Sequence, residues 1–123
     1  MTNCPCGSGE PYDSCCGRYH RGEAQPPTAV TLMRARYTAF VRGDERFLAA
    51  TWHPSTRPSG PLVDPSFSWT GLYVTGQTGG GLLEATATVA FIARYLRAGV
   101  AGKLTENSRF VRQDGRWSYL GPS

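Results

Sequence analysis

The sequence predicts an α+β protein in which two helices precede a curved antiparallel sheet and lie against one of its faces. Three observations carry that expectation. Apolar residues recur at helical spacing from Ala29 to Arg42, period-two alternation takes over beyond Phe67, and Asp114-Gly115 marks a tight hairpin near the end. One further feature stands apart: all four cysteines lie within the first sixteen residues.

Cys4-Pro5-Cys6 and Cys15-Cys16 form a C-x-C-x8-C-C pattern in the frame CPCGSGEPYDSCCGRYH. Two close-set pairs joined by Gly7-Ser8-Gly9 can fold four thiolates around one ion, the arrangement tetrahedral zinc requires. Disulfides are the rival reading. The vicinal pair Cys15-Cys16 suits them poorly, because closing a ring across a single peptide strains it. No apolar leader precedes Cys4, so a reducing cytoplasm is the expected compartment and Zn²⁺ the expected ligand. Four sulfurs leave no open position for water, which makes a structural ion the expectation rather than a catalytic one. His20 is expected beside the site or on the surface, since four cysteines already complete the set.

The 123 residues suffice for a metal-stapled module at 1–22 and one compact domain at 28–121. Hydrophobic residues make up 40%, enough for a core, and no apolar run approaches the roughly 20 residues that span a bilayer. The formal charge of +4 counts the cysteines as neutral. Four thiolates with one dication would reduce it to about +2. That balance is too weak to argue for nucleic-acid binding, for which only Arg18 and Arg21 in the knuckle speak.

Glu23 to Pro27 reads as a short stiff linker and Thr28 as a helix N-cap. From Ala29 to Arg42, Val30, Met33, Tyr37, Phe40 and Val41 fall on one stripe, with Arg34, Thr38 and Arg42 opposite and Arg36 at its edge. Gly43-Asp44 stops this helix and starts another, which runs to about Trp52, buries Phe47, Leu48 and Trp52, and ends before Pro54. The proline-rich stretch 54–66 is an irregular loop. Phe67 to Val74 reads as a strand, Gly76 to Gly81 as a turn, and Glu84 to Tyr95 as a strand with Ala85, Ala87, Val89, Phe91 and Tyr95 facing inward. Gly99 to Gly102 reads as another turn. Asp114-Gly115 then joins Lys103–Gln113 to Arg116–Leu120, opposing Arg112 to Trp117 and Phe110 to Tyr119. Alternation places Glu106, Ser108, Phe110, Arg112, Trp117 and Tyr119 on one covered face.

The frame CPCGSGEPYDSCCG resembles the SEC-C motif, a short zinc module best known from the C-terminal tail of the bacterial preprotein-translocase motor. RYTAF (36–40), TWHPSTRP (51–58) and the ending KLTENSRFVRQDGRWSY resemble the YchJ family, in which that motif precedes a nuclear-transport-factor-2-like (NTF2-like) cone. The resemblance spans nearly the whole chain. It implies an NTF2-like fold and zinc on Cys4, Cys6, Cys15 and Cys16, and it implies no particular activity. Where relatives typically read Leu-His-Glu, this chain has Leu104-Thr105-Glu106, so a histidine base at that place is missing.

Glu106 is the residue of most chemical interest. A carboxylate on the inner face of a cone is costly to ionise unless paired. Its structural partner is expected to be Arg36. As an acid or base it would be joined by Arg36, Tyr37 and His53, although a helix-terminal imidazole such as His53 more often serves to stabilise the end of its helix. Two functions follow. The leading one is an adaptor that docks a protein partner through the zinc knuckle. The other is an enzyme or ligand-binding protein whose cone encloses a small molecule. A pocket reaching Glu106, rather than an interior filled by Phe110, Trp117 and Tyr119, separates them.

Overall fold

In the computed structural model, which describes residues 3–123, each element begins and ends where local chemistry dictates. The chain opens with a single 3₁₀ turn at Tyr12–Ser14 and a short helix α1, Cys16–His20. Helix α2 spans Ala29–Arg42: the Thr28 hydroxyl accepts from the Thr31 amide, and Gly43 closes it in the left-handed region. Helix α3, Glu45–Ala50, is capped by the Asp44 carboxylate on the Phe47 amide. It ends short of the expected Trp52. The Thr51 carbonyl instead accepts from the Tyr119 amide, and the His53 amide donates to Tyr119 O, both at 2.8 Å. A parallel bridge between Trp52 and Tyr119 thus fastens the segment after α3 to the last strand.

Four strands follow in an antiparallel meander: β1 Phe67–Gly79, β2 Thr86–Arg97, β3 Val100–Gln113 and β4 Arg116–Pro122. Register breaks at Trp69/Gly71, Val74/Gly76 and Arg109/Phe110 add local bends, which curve the sheet around α2. The last hairpin has the expected register, with Arg112 opposite Trp117 and Phe110 opposite Tyr119.

Three readings of the middle strands are corrected. Strand β1 continues through Gly76 to Gly79 instead of turning there, because Gly76 to Gly79 pair with Ala90 to Ala87. Ala85 lies outside β2 and is exposed, while Ala93 takes the inward place that alternation requires. The turn after β2 is only Ala98-Gly99, both at positive φ. Gly102 is a strand residue opposite Tyr95. A Cβ there would stand 2.6 Å from the Tyr95 ring, which explains the glycine without a turn.

Helix α2 is covered on two sides. Met33 and Tyr37 are buried as expected, and Val30 and Phe40 half-buried, but Val41 is 38% exposed. Thr38, read as lying opposite the core, has no exposed surface at all. The cysteine module packs on that side, so a one-stripe reading of the helix undercounts its contacts.

Candidate functional site

Cys4 and Cys6 are brought round by a tight turn in which the Cys4 amide donates to Glu10 O at 2.7 Å and the Gly7 amide to Cys4 O at 3.2 Å. Gly7 and Gly9 both sit at positive φ, the freedom that turn needs. Cys15 and Cys16 stand at the start of α1. All four Sγ atoms lie within 4.8 Å of one another, and Cys6 and Cys15 are 3.7 Å apart. Tetrahedral Zn–S bonds of about 2.3 Å require sulfur separations of about 3.8 Å. The donor set therefore fits a four-sulfur metal site.

The surroundings support the sulfurs. The Ser8 hydroxyl is 3.2 Å from Cys15 Sγ, and the Thr38 hydroxyl lies 3.4 Å from Cys16 Sγ and 3.7 Å from Cys4 Sγ. Arg34 donates to Cys6 O at 2.7 Å. Cys4, Cys6 and Cys16 are buried and Cys15 half-buried. Hydrogen bonding from Cys16 holds the Cys6 thiol down at about 4, and the same bond, with burial, pushes the Cys16 thiol up. Without an ion the cluster thus favours negative charge on Cys6. It disfavours charge on Cys15, chiefly through burial, and on Cys16, chiefly through its bond to Cys6.

His20 is neither a ligand nor a surface residue. Its side chain is 4% exposed. Nε2 is 2.8 Å from Ala35 O, and Nδ1 is 2.7 Å from the Tyr12 hydroxyl. A carbonyl only accepts, so Nε2 carries the proton and Nδ1 accepts from Tyr12. This imidazole ties α1 to α2, and its ring packs 4.5 Å from Phe47 of α3.

A second site lies between α2 and the sheet, where a cavity of about 240 Å³ is lined by Arg36 and Tyr37 of α2, by Glu106, Ser108 and Phe110 of β3, and by Tyr119 of β4. Apolar walls come from Met33, Phe40, Trp52, Trp69, Phe91 and Ala93, with the partly exposed Leu104 among the lining residues. Phe110 and Tyr119 line the cavity without filling it. Trp117 is buried elsewhere, near Gly80, and Arg112 stacks over it at 5.1 Å as the cross-strand register predicts.

Glu106 does not form the expected ion pair with Arg36. Its Oε2 accepts from the Tyr119 hydroxyl at 2.8 Å and from the Ser108 hydroxyl. Arg36, 5% exposed, donates through Nη1 to Leu48 O at 2.9 Å and to the Thr51 hydroxyl at 2.7 Å. Its guanidinium lies over the Tyr119 ring at 4.5 Å and the Trp52 ring at 5.0 Å. Burial pulls Arg36 down to about 10, still cationic at neutral pH. Burial, then the Glu106 charge, pushes the Tyr119 phenol up, and burial does the same to Tyr37.

Of the four candidate pocket residues, the fold unites Arg36, Tyr37 and Glu106 and excludes His53. The His53 ring points elsewhere, with Nδ1 2.7 Å from the Ser55 hydroxyl and Nε2 3.0 Å from Gln113 Oε1. The reading of this residue as a closure for its segment fits better than a catalytic one. Tyr119 is the residue whose importance the sequence understated. Alternation put it on the same face as Glu106, which was the signal, but not within bonding distance.

Residues 28–122 match the family described as YchJ, middle NTF2-like domain. The chain belongs to the YchJ family. A UPF0225 protein of Streptomyces avermitilis is 50% identical over 119 residues, covering 97% of this chain and 82% of that protein. One from Streptomyces coelicolor is 50% identical over 116 residues, covering 94% and 90%. The solution structure of a SEC-C motif containing protein from Rhodopseudomonas palustris superposes with a TM-score of 0.85 at 31% identity, over 99% of this chain and 98% of that one. A SEC-C motif containing protein from Psychrobacter arcticus gives 0.80 at 27% identity, over 100% and 82%. The YchJ fold here is thus an NTF2-like sheet wrapped on its helices, with a cysteine cluster at one end that could hold a metal.

Proposed function

We propose that this YchJ-family protein binds a small molecule in the cavity between α2 and the sheet, and that Cys4, Cys6, Cys15 and Cys16 hold one structural zinc ion in a reducing cytoplasm. The observation that carries the reading is the cavity itself. Some 240 Å³ reaches Glu106, walled by aromatic rings and bearing one buried cation and one carboxylate. Natural ligand sites combine apolar walls with a few placed polar groups in this way. When bound, zinc would link the first turn to α1 and hold both against α2, supplying no reactive water.

Docking through the knuckle has less support. Three of the four cysteines and the His20 ring face α2, and the outward tip from Gly7 to Glu10 is polar. Arg21 is engaged by Asp13 and Glu23, so the nucleic-acid reading loses one of its two cations. Acid–base chemistry by Glu106 would have to work without a histidine, since among the described residues none lines the cavity.

A fragment screen by amide and indole NMR shifts tests the proposal. Binding should move the signals of Trp52, Trp69 and Ala93, and filling the cavity with Ala93→Phe should abolish those shifts while the sheet signals persist. Fragments that bind the folded Ala93→Phe variant equally well would sink the reading.

A further inference from the structure

The cavity contains two opposite charges that do not meet. Among the described residues no carboxylate lies within 4.0 Å of Arg36, although the side chain is 5% exposed. Among the described residues only its Nη1 is hydrogen-bonded, to Leu48 O and the Thr51 hydroxyl. Those two bonds, with the Trp52 and Tyr119 rings, fix the plane of the guanidinium. Its Nε and Nη2 hydrogens have no acceptor among the described residues. At the other end, Oε2 of Glu106 is occupied by Ser108 and Tyr119, while Oε1 has no donor among the described residues. The Tyr119 phenol spans the gap, its ring against Arg36 and its hydroxyl on Glu106. About one phenol ring therefore separates a free acceptor from a set of free donors.

Resting on the pocket reading above, we infer that the ligand is a small neutral planar molecule with an amide-like edge, whose carbonyl accepts from Arg36 and whose N–H donates to Glu106. A carboxylate ligand would satisfy Arg36 but face Glu106 in a medium of low dielectric, and a cationic ligand would face Arg36. A purely apolar ligand would leave the Nε and Nη2 hydrogens of Arg36 and Oε1 of Glu106 desolvated without new partners. A carbonyl and an N–H on one flat framework satisfy both ends at once, and the aromatic walls accept the faces of such a ring.

The test uses the full chain loaded with zinc and four probes of one size: benzamide, benzoate, benzamidinium and ethylbenzene, titrated while the Trp52 and Trp69 indole signals are followed. Benzamide should bind on the order of tenfold more tightly than each of the others. In Glu106→Gln, which keeps the shape of the side chain, benzoate should gain on the order of tenfold as its repulsion is removed. The spectrum of that variant checks that it is folded. Benzoate or benzamidinium binding best to the unaltered protein would overturn the ligand class and leave the pocket reading standing. Ethylbenzene matching benzamide would also overturn it, since the polar pair would then play no part in recognition. If no probe shifted either indole, the pocket reading would fall and the ligand class with it.

Discussion

The Tyr119 hydroxyl donates to Glu106 Oε2 across 2.8 Å. Through this bond β4 holds the Glu106 carboxylate of β3 in the cavity, and the same phenol ring carries the Arg36 guanidinium on its face. Backbone bonds from Tyr119 to Thr51 and His53 then join the cavity to the end of α3.

Tyr119→Phe keeps the ring under Arg36 and removes one donor from Glu106. A hydrogen bond to a charged group contributes about 1.5–3 kcal/mol. The variant should unfold about 1–2 kcal/mol more easily in urea, allowing for the retained Ser108 bond. An unchanged midpoint would mean that Glu106 is satisfied without Tyr119.

Alkaline titration should follow from the raised phenols. Tyr119, Tyr37 and Tyr12 all hold their protons more tightly when folded, each chiefly through burial. A group with a raised folded value binds the proton better in the folded state, so its stabilisation is complete below the unfolded value near 10 and is lost as pH rises past it. Arg36, pulled down to about 10, acts in the opposite sense between that value and its unfolded value of 12.5. The phenols are therefore best followed directly: their ultraviolet ionisation in the folded protein should lag that of the urea-unfolded chain. Folded and unfolded chains ionising all their phenols together near pH 10 would contradict the burial of these three hydroxyls.

Thr38→Val replaces the hydroxyl beside Cys4 and Cys16 with a methyl of equal size. Groups that support metal ligands typically change affinity about 10- to 100-fold. Competition with a chromophoric chelator should show zinc held about tenfold more weakly, with the fold retained. Chelating the ion from the unaltered protein should lower its melting temperature well beyond that. Equal chelator resistance in the two proteins would show that Thr38 does not support the sulfurs.

Gly102→Ala puts a methyl 2.6 Å from the Tyr95 ring. That ring packs against Phe67 at 4.8 Å and Trp69 at 5.5 Å, so it must swing out of an aromatic cluster to make room. A loss of about 1 kcal/mol is expected by chemical denaturation, the worth of such aromatic contacts. A stabilised variant would mean that Tyr95 adapts freely and that Gly102 is there for another reason.

What could be read from the chain alone was whatever local chemistry decides. The Thr28 cap and Gly43 terminate α2 where the periodicity predicts, and Asp114-Gly115 sets the register of the last hairpin because a two-residue turn leaves no other pairing. The four metal-ligand candidates were legible too, since thiolates at that spacing have few alternatives. Only the tertiary structure decided that Arg36 would turn from Glu106 to Leu48 and Thr51, that Thr38 would face sulfur, and that His53 would be left out of the cavity. The reason is physical. Periodicity describes one buried face per element, whereas α2 is covered on two sides, and the bridge from Trp52 to Tyr119 joins residues far apart in sequence whose meeting depends on how the whole sheet curves.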